Sequence, residues 1–162
     1  MRAVVGGLAR AAALAGGAVL LALIAMTCLS VLGRAGLWLS TLWPAPWLAR
    51  LGPVRGDYEL IEMGTGVAVA CFLPWCQVAR GHAQVDLLPV PRALPVLWDV
   101  LMAMAMALLA WRVGAGMMQK MASGETSFLR GLPVWWGYAA CLPGLVLAAV
   151  AAVASAAGRV RG

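Results

Sequence analysis

The chain has 162 residues, of which 64% are hydrophobic and only 11% charged, and its mean hydropathy is +0.91. Soluble domains carry about 25% charged residues, so this composition leaves too little polar surface to face water, and lipid must be the solvent for much of the chain. The formal charge is +6, from 12 Lys and Arg against 6 Asp and Glu. The basic residues stand singly between apolar runs and make neither a cluster nor a groove pattern, which argues against nucleic acid as a partner; they read as headgroup anchors and topology signals.

The first charge-free run covers about residues 11–33, between Arg10 and Arg34, enough to cross ~30 Å of hydrocarbon. It is longer than the ~7–15 residues of a signal-peptide core and no A-x-A site closes it, so it is read as a retained first helix. Over 34–57 the composition changes, with Trp38, Trp43 and Trp47 interleaved with Pro44, Pro46 and Pro53. Prolines stop a regular spanning helix and tryptophans favour the headgroup level. This connector is therefore expected to lie along the membrane interface, with a short helix at about 47–51. The second span, about 58–79, opens on Asp57, Glu59 and Glu62. These acids suit a helix N-terminus, with Asp57 as its cap. Pro74 is expected to kink its last turns.

A short connection, 80–92, carries Arg80, His82, Asp86 and Arg92; Asp86 is placed to cap a short helix there. The third helix is expected over 93–121, with Arg112 at its lipid boundary. Gly124-Glu125-Thr126-Ser127 makes a polar turn, and the fourth span, about 132–157, opens with Pro133, Trp135, Trp136 and Tyr138. The expected fold is an all-α integral membrane protein: a single domain, residues 1–162, of four transmembrane helices with an interfacial segment between the first and second. Four spans put both termini on one side. That side holds six Lys and Arg against five on the other, with Arg112 at the boundary, an excess that favours cytoplasmic termini.

A charge at the bilayer centre costs at least ~2.5–3.5 kcal/mol, so the depth of each ionisable group is informative. The middles of the first and fourth spans carry none. Glu62 lies about one turn inside span two and Asp99 about two turns inside span three. Glu62 reads either as an ion- or proton-coupling carboxylate or as a helix-end acid, and pairing is the usual fate of intramembrane charges. With spans two and three antiparallel, Arg112 or Lys120 is the expected partner of Glu59 or Glu62, and Arg80 or Arg92 that of Asp99. Cys28, Cys71, Cys76 and Cys141 lie in apolar segments without a C-x-x-C pair and read as small buried hydrophobes, giving no disulfide framework or zinc site. His82 is the one histidine, too few for haem, a metal cluster or a nucleophilic triad. No catalytic residue, cofactor or metal is expected, and the chain is not expected to be an enzyme. Gly16 and Gly17, Gly64 with Ala68, and Gly66 with Ala70 allow close helix approach. Met102, Met104 and Met106 read as packing and lipid contact.

Three stretches stand in a fixed order: Gly56-Asp57-Tyr58-Glu59-Leu60-Ile61-Glu62-Met63-Gly64; Phe72-Leu73-Pro74-Trp75-Cys76-Gln77 running into Arg80-Gly81-His82 and Val85-Asp86; and Gly124-Glu125-Thr126 followed by Leu132-Pro133-Val134-Trp135-Trp136-Gly137-Tyr138. Across roughly residues 50–150 their order and spacing resemble the small membrane subunit of tripartite ATP-independent periplasmic (TRAP) transporters, the DctQ type. The resemblance implies four transmembrane helices in a bacterial inner membrane, with both termini cytoplasmic. It implies two partners: a large permease subunit (DctM-type) that holds the sodium and substrate sites, and a periplasmic substrate-binding protein that delivers an organic acid. It also implies a bracing role in symport, with no catalytic residues to carry over. Structural or interface roles are expected of Glu59, Glu62, Arg80, Asp86, Asp99, Arg112 and Glu125. The alternative, a self-contained four-helix proton-coupled transporter, needs a carboxylate deep in a span, typically the first, which here is free of charge.

Overall fold

The computed structural model describes residues 2–42, 52–79 and 93–160. They form four helices: α1 (Arg2–Leu42), α2 (Asp57–Val78), α3 (Ala93–Ser123) and α4 (Trp135–Val160). Each is long and apolar enough to cross a membrane. The chain is a multi-pass, all-α membrane protein.

The first helix differs from the reading of the sequence. Residues 34–42, expected in the interfacial connector, are instead the last turns of α1. Its 41 residues amount to roughly 60 Å at 1.5 Å per residue, well beyond a hydrocarbon core. The reason is local: no proline interrupts the chain before Pro44, and Gly33 and Gly36 turn their bare backbone onto a buried face. At Gly33 the returning chain crosses so closely that a Cβ would collide with the Gly52 carbonyl. The expected short helix at 47–51 lies outside the described residues. α2 runs through Pro74, which is almost fully buried. α4 begins at Trp135, so residues 132–134, expected in the fourth span, belong to the preceding turn.

Among the described residues, α2 and α4 form the central pair, α1 flanks α2, and α3 packs on α4 alone; α1 also touches α4 lightly. Alanine makes the central seam possible. Ala70 of α2 and Ala148, Ala151 and Ala152 of α4 are all buried. Gly144 lies against the α2 backbone, where a Cβ would fall 2.6 Å from the Ala70 carbonyl carbon. On the other side of α2, Gly16 admits the chain between Cys71 and Ala68, and a Cβ there would stand 2.8 Å from that of Cys71. In lipid there is no hydrophobic drive between helices, and such close approach is what holds them together. Large apolar side chains instead point outward, among them Leu14, Leu21 and Leu32 on α1 and Leu97, Met104, Leu108 and Trp111 on α3.

The start of α2 is fixed by polar contacts. Gly56, the N-cap, has φ 73°, a left-handed conformation that glycine adopts without penalty. Asp57 does not occupy the expected cap position. It is the first helical residue, and its carboxylate turns to α1: Ser30 Oγ donates to Oδ2 at 2.5 Å and Arg34 Nη2 to the same oxygen at 2.7 Å. Its Oδ1 accepts the Tyr58 N–H at 2.9 Å. Ser30 is only 1% exposed, so its hydroxyl needs this acceptor. The variant Asp57→Leu is expected to strand that hydroxyl and detach the start of α2 from α1. A cysteine pair placed across the two helices there should cross-link more slowly than in the otherwise unchanged chain. Equal rates would remove Asp57 from this role.

Candidate functional site

The polar residues of the second and fourth helix starts converge on one place. α3 ends at Ser123, and Gly124 follows with φ 63°, the left-handed glycine that commonly closes a helix. The chain then folds back on itself. Val134 N–H donates to the Glu125 carbonyl at 3.1 Å, Ser127 N–H to Leu132 at 2.7 Å, and Gly131 N–H to Ser127 at 2.9 Å. Thr126 and Pro133 pair as an isolated antiparallel bridge. Lys120 Nζ reaches across the turn to Glu125 Oε2 at 2.5 Å.

Glu59, in the first turn of α2, clamps this 124–134 turn. Its carboxylate accepts from the buried Ser127 hydroxyl and from the Leu129 N–H at 2.8 Å. Arg130 Nε donates to the Arg55 carbonyl at 2.9 Å, so the turn is held to the α2 entrance at two points. Phe128 at its tip is 98% exposed.

Behind the turn lies a cavity of about 620 Å³, bounded by α2, α4, one residue of α3 and the turn itself. Its outer wall carries Glu59, Glu62, Glu125, Thr126 and Ser127, and its inner wall Met63, Gly66, Val113 and Cys141, with Tyr138 between. The cavity exists because α2 and α3 both pack on α4 but, among the described residues, not on each other. For the same reason the expected pairing of Glu59 or Glu62 with Arg112 or Lys120 is not formed. Lys120 pairs with Glu125, Glu59 is taken by the turn, and Arg112 is exposed on α3 without an ion pair among the described residues. Glu62 stands on the cavity wall, exposed.

Three of the expected residues, Glu59, Glu62 and Glu125, thus meet at one site, and Arg112 does not join them. Asp99 is elsewhere on α3, 6% exposed; Arg80 and Arg92, its expected partners, and Asp86 lie outside the described residues. Ser30, Arg34, Ser127 and Arg130 are not marked by the sequence. Their partners are 23 to 75 residues away, so no local pattern points to them. Among the described residues, no group of three His, Cys, Asp or Glu side chains could hold a metal ion.

No curated protein and no solved structure matches the chain. The family described as "Tripartite ATP-independent periplasmic transporters, DctQ component" matches residues 23–162, which include α2, α3, α4, the clamped turn and the C-terminal half of α1. It is a family of transporter components rather than of enzymes. The chain belongs to this family and is the small membrane subunit of a TRAP transporter.

Proposed function

We propose that the chain braces the large permease subunit of its transporter during sodium-coupled uptake of an organic acid. The large subunit carries the sodium and substrate sites, and a periplasmic binding protein delivers the substrate. The assembly sits in the bacterial inner membrane, with both termini of this subunit cytoplasmic.

The observation that supports this reading most directly is the cross-tying of the helices. α1 is held to α2 at Gly16 and Asp57, α2 to α4 at Gly144, and α2 to the turn before α4 at Glu59. A plate tied at both its middle and its edge resists shear, as a fixed support must. Its flanking helices α1 and α3 carry rows of exposed apolar side chains, which suits burial against lipid and a second membrane subunit. In detergent the chain is expected to co-purify with the large permease subunit when the two are expressed together, and on its own in liposomes to catalyse no uptake. A chain that elutes as a lone monomer when both are expressed, or that transports unaided, would sink the bracing role.

A further inference from the structure

We propose that the cavity behind the 124–134 turn binds an aminophospholipid, its primary ammonium held by Glu62 and its acyl chains seated on Met63, Gly66, Val113 and Cys141. Three carboxylates face this cavity, but two are already engaged, Glu59 by Ser127 and the Leu129 N–H, and Glu125 by Lys120. Glu62 has no hydrogen bond or ion pair with any described residue, although it lies one turn further into the span. A carboxylate at that depth requires a cation or water beside it.

The shape of the cavity favours a ligand with the polarity gradient of a phospholipid. Along α2 its wall passes from Glu59 and Glu62 to Met63 and Gly66, and along α4 from the turn through Tyr138 to Cys141. The α2 stretch amounts to roughly 10 Å at 1.5 Å per residue. Polar groups thus stand at the turn and apolar ones deeper in the helices. The gap between α2 and α3 opens this wall sideways, so that a lipid enters from the bilayer without unfolding the turn. The headgroup is selected by charge and by donors. Anionic phosphatidylglycerol meets three carboxylates. Phosphatidylcholine carries a positive charge but has no N–H to donate, whereas ethanolamine offers an ammonium that makes charge-assisted hydrogen bonds. The Tyr138 ring in the same wall adds a cation–π surface.

The test is native mass spectrometry of the purified full-length chain, delipidated and then offered equimolar phosphatidylethanolamine, phosphatidylcholine and phosphatidylglycerol with identical acyl chains. The wild type is expected to retain the ethanolamine lipid over the choline lipid by roughly tenfold, the effect of one charge-assisted hydrogen bond. In Glu62→Gln this preference should vanish, while Glu125→Gln, whose carboxylate is already held by Lys120, should keep it. Gly66→Leu, which fills the inner wall, should lower retention of all three lipids alike. Should that variant misfold, as judged by its elution profile, the headgroup ratio of Glu62→Gln decides alone. Three results would overturn the proposal: equal retention of the ethanolamine and choline lipids by the wild type, an unchanged preference in Glu62→Gln, or equal competition by phosphoethanolamine lacking acyl chains. It is overturned equally if Glu62→Gln releases the large permease while lipid retention stays as in the wild type, since the cavity would then be seating protein.

Discussion

In a Gly144→Val variant, α2 and α4 are expected to part and the subunit to lose thermal stability, by about 1–3 kcal/mol on the scale of overpacked cores. The cause is the nature of the neighbour. The added carbon would meet backbone, the Ala70 carbonyl carbon at 2.6 Å and the Cys71 nitrogen at 3.1 Å, and backbone inside a helix cannot step aside as a side chain can. Relief must come from moving the whole helix, which also loosens the Ala148 and Ala151 contacts along the same seam. Gly66→Ala is the matched control, because its Cβ would stand 3.7 Å from Cys141 Sγ, an ordinary contact. Thermal unfolding followed by tryptophan fluorescence in detergent should therefore separate the two variants, with Gly66→Ala near the wild type. Coincident midpoints would mean that the seam does not limit stability.

Replacing Glu59 by alanine is expected to free the 124–134 turn from α2 while leaving the four helices intact. The carboxylate accepts one hydroxyl and one backbone N–H from a segment 68 to 70 residues away. The buried Ser127 hydroxyl loses its partner, a cost that favours opening of the turn to water. Hydrogen exchange at the Leu129 amide should accelerate by roughly tenfold, the scale of one lost hydrogen bond to a charged group, with amides in the middle of α4 unchanged. Glu59→Gln keeps one carbonyl acceptor and should show a smaller increase. Unaltered exchange at Leu129 in Glu59→Ala would show that the turn is held by Arg130 and the Lys120–Glu125 pair alone.

The four spans are legible because lipid imposes a simple code: long charge-free runs bounded by Arg, Trp and Pro. The end of α1 is not. Tryptophan and arginine at 34–38 suggest a headgroup segment, but neither residue breaks a helix, and the Arg34–Asp57 pair gives the arginine a partner on α2. The surroundings of Glu62 depart from expectation for a different reason. Helices adjacent in sequence need not be adjacent in space, and here α4 lies between α2 and α3. Of the candidate site, the acids Glu59, Glu62 and Glu125 stand out in the sequence by type and depth. Their convergence does not, because it depends on a turn some 70 residues further along folding back on α2. The stretches beginning at Gly56 and at Gly124, which carry much of the family resemblance, turn out to be the two halves of one clamp.

The seam between α2 and α4 also has a bearing on how the subunit is made. α1 with α2 and α3 with α4 are each a hairpin of sequence neighbours, and the contacts that unite them all involve the second hairpin. During synthesis the first hairpin reaches the bilayer with Glu59 and Glu62 uncovered, and only the arrival of the turn and α4 shields Glu59. The stretch before Trp135 is thus the polar fastening between the two hairpins, as Gly144 is the apolar one.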